Sequence, residues 1–195
     1  MSKDAEGPGP VVHRLAALFP VVAKALASGL VVSEEIHAAY GWNVAADKHL
    51  AYQLVRRVAV DWLKPHTQAS GEAASLGLPM SGLVIRPKSG DVIRVWHSND
   101  GSLPRVDTEA MRMFCSQRPI DQETLFPEVH QGAGSNLAIV WNAKGPDLTR
   151  FDLVRPAGAS GPIAHVDWRV NLLGRLASDP GAKPEDPDID DDDPE

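Results

Sequence analysis

Apolar residues recur at helical spacing through the first third of the chain. Val12 and Leu15 lie on one face of a predicted first helix, and Pro20 interrupts that pattern. Proline is tolerated in the first turn of a helix, so a second helix is predicted over residues 21–28. Gly29 is expected to stop it, because glycine commonly follows the last turn of a helix.

Two further helices are predicted before residue 66. Ser33 is a good N-cap for a third helix that ends at Gly41. Asn43 is expected to cap the longest helix, over residues 44–63, and Pro65 to close it. The apolar stripe that predicts this longest helix consists of Ala51, Leu54, Val55, Val58 and Trp62.

The second half of the chain alternates short apolar runs with turn-forming residues, which is typical of a sheet. The predicted elements are hairpin strands 83–86 and 92–96, a short helix capped by Asp107 or Thr108 and ending at Cys115, hairpin strands 137–141 and 151–154, and a last strand 165–172. This order is ββαβββ, and its short hairpin connections favour antiparallel pairing.

The predicted fold class is therefore α+β, with an N-terminal segment of three to four helices packed with a mainly antiparallel ββαβββ sheet region. The predicted organisation is a flexible N-terminus 1–10, a helical region 11–66, a linker 67–80, an α+β sheet region 81–177 and a disordered acidic tail 178–195.

Composition places the chain among ordinary globular proteins, with 43% hydrophobic and 23% charged residues. Cys115 is the only cysteine, so no internal disulfide can form. No apolar run is long enough to span a bilayer, and the polar start does not have the pattern of a signal peptide. We therefore expect a cytoplasmic protein without membrane contact. Frequent alanine and arginine with sparse lysine are typical of a high-GC bacterium or its phage.

Negative charge is concentrated at the C-terminus. Nine acids and one lysine lie in residues 179–195, so this segment has a charge of −8. The net charge of the chain is −7, so residues 1–178 carry +1. An argument from global acidity to a basic partner therefore depends on the tail alone.

The helical region resembles the generic helix-turn-helix pattern, because Ala25, Gly29, Ser33 and Gly41 mark a first helix, a turn and a capped second helix. On this interpretation the hairpin at residues 82–98 is the wing of a winged-helix DNA-binding regulator. The candidate DNA-binding residues on the longest helix are Lys48, His49, Gln53, Arg56 and Arg57. The segment 10–66 carries only +2, which is weak electrostatics for a DNA reader.

Metal and cofactor binding find little support. Glu34 and His37 share a helical face, but a di-iron bundle needs two such motifs and further glutamates. His97, His130 and His165 lack cysteine partners at zinc spacing. No metal site and no cofactor are predicted.

Catalytic signals are also sparse. Cys115 is predicted to be a buried, inert thiol. His165 and Asp167 alternate on one strand face, where a general base and its orienting carboxylate would fit, and this pair defines a hydrolase or nuclease alternative.

The leading hypothesis is a non-enzymatic binding protein of accessory, inhibitor or immunity type, which acts on another protein. It depends on the near-neutral body and on five tryptophans, at positions 42, 62, 96, 141 and 168. Core packing is the first interpretation of these rings, and an exposed aromatic cluster would instead mark a protein interface. The sequence leaves the oligomeric state open.

Overall fold

The computed structural model describes residues 6–70, 73–77, 83–117 and 134–178. Its elements are, in chain order, α1 (Pro8–Arg14), α2 (Leu18–Ala39), α3 (Lys48–Ser70), β1 (Ala73–Gly77), β2 (Leu83–Pro87), β3 (Val92–His97), α4 (Glu109–Cys115), β4 (Asn136–Lys144), β5 (Asp147–Ser160), β6 (Ile163–Asn171) and α5 (Leu173–Ser178). The predicted α+β class is confirmed.

The six strands form one sheet in the order β1-β2-β3-β4-β5-β6. Neighbouring strands are antiparallel except β3 and β4, which are parallel. Parallel strands need a long crossover connection. The segment that contains α4 provides it, so the two predicted hairpins become neighbours through their inner strands.

Each face of the sheet has its own core, because alternate residues of a strand point to opposite faces. On β4, Leu137, Ile139 and Trp141 join the larger core under α1, α2 and α3. The intervening Ala138 and Val140 join the smaller core under α4. The central strands are therefore covered on both sides.

The helix boundary predicted at Gly29 is wrong, because α2 continues through it for 22 residues. A Cβ atom at Gly29 would lie 2.6 Å from the backbone oxygen of Val55 on α3. Ser33 is not an N-cap but a buried residue within α2, and its hydroxyl donates to the Ala51 carbonyl at 3.4 Å. The small residues therefore allow two helices to approach closely, and they do not form a turn.

The same spacing has a packing explanation. Buried residues recur every fourth position on each helix, and these rows are the ridges that fit into the grooves of a partner helix. The row on α2 is Ala25, Gly29, Ser33 and His37, and the row on α3 is Ala51, Val55, Ala59 and Leu63. Gly29 opposes Val55 and Ser33 opposes Ala51, so the two helices run antiparallel.

The predicted limits of the longest helix also differ from the structure. Asn43 accepts hydrogen bonds from the Ala45 and Ala46 amides, but this cap holds a separate turn and α3 begins at Lys48. Pro65 lies inside α3 and does not end it. Thr67 donates its hydroxyl to the Leu63 carbonyl at 2.7 Å in the turn around the proline.

In the sheet half, both predicted hairpins and the short helix are confirmed, and Thr108 caps α4 by accepting from the Met111 amide at 3.2 Å. Strand β1 lies within the segment predicted as a linker. Strand β5 extends to Ser160, through a segment predicted as a loop, and α5 was not predicted. The predicted flexible start at 1–10 lies partly, and the acidic tail beyond Ser178 entirely, outside the described residues.

An ion pair fastens α1 to the sheet. The guanidinium of Arg14 donates to both carboxylate oxygens of Asp91, at 2.9 and 2.8 Å. Asp91 also accepts from the Ser89 hydroxyl and the Ser135 amide. Burial alone would raise the pKa of Asp91, but these donors outweigh it and hold that pKa below its ordinary value.

Candidate binding site

A cleft of about 190 Å³ opens between the first half of α3 and the ends of two central strands. The helix contributes His49, Tyr52, Gln53 and Arg56, whose spacing of i, i+3, i+4 and i+7 places them on one face. The strands contribute Val95, Trp96 and His97 of β3 and Trp141 of β4. We call these eight residues the α3 cleft.

His97 forms the floor of the α3 cleft. Tyr52 stacks on its ring with centroids 3.7 Å apart, and Trp141 meets it edge-on at 5.0 Å. Its Nε2 lies 3.1 Å from the Asn142 side-chain oxygen and donates to it, which leaves Nδ1 unprotonated in the neutral ring. Burial lowers the pKa of His97, and the charge of Lys48 lowers it further. The hydrogen bond to Asn142 raises it, but by less than burial lowers it. The floor is therefore neutral near pH 7.

Positive charge lies at the rim. Lys48 and Arg56 have no ion-pair partner among the described residues, and none of the eight cleft residues is an acid. Burial lowers the pKa of Arg56, but a guanidinium stays protonated at neutral pH. Arg56 donates to Gln53, whereas its buried Nε lacks a hydrogen-bond partner in the described part of the chain. The rim therefore has donor capacity for an anionic group.

An aromatic shelf precedes the cleft on the chain. Tyr40 and Trp42 stack with ring centroids 4.8 Å apart, and they are 68% and 46% exposed. Val44 and Leu50 are also exposed large apolar residues. His37, buried beneath, meets Trp42 edge-on at 6.0 Å and anchors its own ring by donating to the Ser33 carbonyl. We call Tyr40, Trp42, Val44 and Leu50 the aromatic shelf.

The five residues predicted to contact DNA do not all lie together. His49, Gln53 and Arg56 line the α3 cleft, and Lys48 begins the helix beside it. Arg57 is exposed and pairs with Asp61 at 3.0 Å, so it belongs to another face.

The predicted wing does not project from the fold. The hairpin of β2 and β3 lies inside the sheet, where Leu83, Ile85 and Ile93 are fully buried. The turn expected at Gly29 is also absent, since α2 is continuous there. DNA binding stays a prediction, without the turn and wing that suggested it.

The hydrolase alternative has a different geometry from the one expected. His165 Nε2 lies 2.6 Å from the Ser160 hydroxyl, a contact that the sequence analysis did not anticipate. Asp167, however, pairs with Arg155 at 2.6 Å, so its carboxylate is held by a cation and does not orient the imidazole. The Ser160 and His165 side chains are exposed, and a catalytic dyad would need a site that excludes water. Neither Ser160 nor His165 lines the cleft of about 290 Å³ beside α4, although Ala159 and Gly161, on either side of Ser160, do.

The cleft residues that sequence reasoning did not assign to this site are Tyr52, Val95, Trp96, His97 and Trp141. Each was assigned to a helix or strand, but their meeting depends on how α3 crosses the sheet. One signal was available: His97 is the last residue of a strand, where it escapes the fully buried centre of the sheet. Sequence alone gave no reason to pair it with Tyr52.

Cys115 is fully buried as predicted, and burial raises the pKa of its thiol. Within the described ranges, no group of three or more histidine, cysteine or acidic residues is placed to hold a metal ion. In that same part of the chain, no single helix has both the length and the apolar character to cross a membrane; α1 and α2 meet the criteria only as a pair bent by 71°. No protein-family model, curated protein or solved structure was found to match this chain, so the candidate site is defined by its own geometry.

Proposed function

We propose that this chain is a non-enzymatic protein-binding module whose contact surface comprises the aromatic shelf and the α3 cleft. The observation that carries the proposal is the exposed Tyr40–Trp42 stack, which adjoins along the chain a cationic cleft whose described lining residues include no acid. The ligand we propose is a protein segment that presents an apolar side chain to the shelf and a carboxylate to the cleft.

The shelf supports an apolar contact. Exposed tryptophan and tyrosine rings are enriched at the energetic centres of interfaces, because they bury a large area at a small entropic cost. Four of the seven large apolar residues that the described chain exposes fall between residues 40 and 50. A partner that covers Trp42 removes apolar surface from water, at about 25 cal/mol per Å².

The cleft supports a carboxylate contact. A guanidinium can hold a carboxylate through two parallel hydrogen bonds, and such charge-assisted bonds are the stronger kind. Arg56 is partly buried, so an ion pair there is less screened than one at the open surface. Lys48 adds a second charge at the start of the same helix. The combination selects an acidic ligand over a basic or purely apolar one.

The proposal is tested by selection from a random peptide library displayed on phage, with the full-length chain as target. Selected peptides are expected to combine an aromatic or leucine residue with aspartate or glutamate. Trp42→Ala and Arg56→Gln should each weaken their binding at least about tenfold, as interface anchors do. Arg105→Ala is the matched control, because Arg105 is an exposed arginine that pairs with Asp107 and lies outside both surfaces.

Peptide binding that is unaffected by both Trp42→Ala and Arg56→Gln would contradict the proposal, as would the recovery of basic peptides only. DNA is the other arm of the experiment. If the chain retains duplex DNA at low salt, and Arg56→Ala with Arg57→Ala abolishes that retention, the DNA-binding alternative replaces the protein-binding proposal.

A further inference from the structure

We infer that the acidic segment 185–195 of this same chain is a ligand of the α3 cleft and competes there with an outside partner. The inference rests on the proposed function, because it assigns a competitor to the same site. The segment contains eight acids and no base. Arg56 lines the cleft, Lys48 begins α3 beside it, and the described residues of the lining include no acid, so the two charge patterns are complementary.

The topology places the start of α5 near the end of the sheet that carries the cleft. Strand β4 ends, β5 begins and β6 ends on one side, and Trp141 of the cleft lies there. Asn171 pairs with Asp152, which pairs with Val140, so two strand spacings of about 4.8 Å each separate β6 from β4 at this level. The last helix, α5, follows directly from Asn171.

The intervening chain is long enough. Asp190, the first residue of the run Asp190–Asp193, is the twelfth residue after Ser178 at the end of α5. An extended chain covers about 3.3 Å per residue, or about 40 Å over this length. This length exceeds the roughly 10 Å that two strand spacings place between β6 and β4, so the chain after Ser178 is long enough for the contact that we infer.

Tethering makes even a weak contact effective. A flexible linker of this length gives an effective concentration in the millimolar range. A segment that binds with a Kd of about 0.1 mM in trans would then occupy the cleft about 90% of the time in cis. A partner must outcompete it, so its apparent affinity falls about tenfold.

Carbodiimide coupling tests the contact directly, since it joins a carboxylate to a lysine amine as an amide only where the two groups touch. In the full-length chain at low micromolar concentration, mass spectrometry should find coupling between Lys48 and acids of 185–195. That coupling should decrease severalfold at 0.5 M salt. Lys64 is the matched control, because it lies on the same helix but pairs with Asp61. Equal coupling to Lys48 and Lys64 would overturn the inference.

Mixing light and isotope-labelled chains separates cis from trans contact, and coupling found only between chains would also overturn the inference. A second measurement uses a full-length variant with Asp190→Asn, Asp191→Asn, Asp192→Asn and Asp193→Asn. A synthetic peptide of residues 179–195 should bind this variant at least about tenfold more tightly than it binds the wild-type chain. Adding Lys48→Gln and Arg56→Gln should abolish that binding. Equal affinity for all three chains would refute the tail contact, whereas the peptide selection tests the cleft independently.

Discussion

The helix pair α2–α3 packs differently in its middle and at the connection between the two helices. In the middle of the pair, Gly29 and Ser33 let the backbones approach, and the facing rows of residues on the two helices are buried. At the end where a short connection joins the helices, Tyr40 and Trp42 are exposed, although aromatic residues of this size are usually buried. Small residues thus bring the two helices together in the middle of the pair, whereas large residues are exposed at the connection.

This contrast separates stability from binding. Close helix packing gains dispersion and apolar burial for the folded chain alone. Exposed aromatic rings and unpaired cations contribute little to the stability of the fold. An interaction partner can bury such rings and pair with such cations, so they contribute to binding instead. Substitutions in the two regions should therefore affect different measurements.

The largest effect is expected for Gly29→Ala. The added methyl group meets the Val55 backbone at 2.6 and 3.0 Å, and backbone cannot rotate away, so the helices must separate. We expect a loss of about 3 kcal/mol in the free energy of unfolding, at the upper end for overpacking, measured by urea titration.

Gly174→Ala in α5 is the control for that substitution. Its new methyl group has nothing within 4 Å. Alanine is also the better helix former by about 1 kcal/mol, so stability should be unchanged or slightly higher. If both variants lose stability equally, the close approach at Gly29 is not what holds the helices together.

A smaller loss, about 2 kcal/mol at pH 7, is expected for Asp91→Asn. It leaves the Arg14 charge without its buried partner, although Arg14 is partly exposed and water compensates some of the cost. Because the folded-state pKa of Asp91 lies below its ordinary value of 3.8, its contribution is complete above that pH and is lost as the pH falls through the folded pKa. Urea titrations at pH 7 and pH 3 should show the gap between wild type and variant narrowing in acid.

The acid titration has a control in Asp167→Asn, whose carboxylate pairs with Arg155 at a partly exposed site. That variant should lose no more than about 1 kcal/mol at pH 7. A gap for Asp91→Asn that stays constant between pH 7 and pH 3 would show that the carboxylate charge is not what stabilises this contact.

The smallest effect on stability is expected at the connection between α2 and α3. Tyr40→Ala and Trp42→Ala should each change the free energy of unfolding by less than about 1 kcal/mol, since the two residues are 68% and 46% exposed and give up mainly their mutual stacking and the edge contact of Trp42 with His37. The same variants should lose affinity for selected peptides. A stability loss as large as that of Gly29→Ala would mean that the shelf belongs to the core.

Short-range signals in the sequence predicted much of this fold. The spacing of Val12 and Leu15, the Thr108 cap and the turn after Lys144 each act within a few residues, so the predicted helices and hairpins occur where such signals are strong. The same reasoning failed at Gly29, since glycine carries two meanings, a stop or a close approach. The helix that packs against it decides between them, and that helix is 26 residues away in sequence.

The sequence by itself thus determined the α+β class, both hairpins, the short helix α4, the near-neutral body and the concentration of acid in residues 179–195. It also named Lys48, His49, Gln53, Arg56 and Arg57 on one helix as candidate contacts, of which His49, Gln53 and Arg56 share one face in the structure. Only the tertiary structure decided that β3 and β4 run parallel, that α2 is unbroken and that this helical face closes over His97. The physical reason is that hydrogen bonds and caps within an element act between near neighbours, whereas a cleft forms from packing between residues that are distant in the chain.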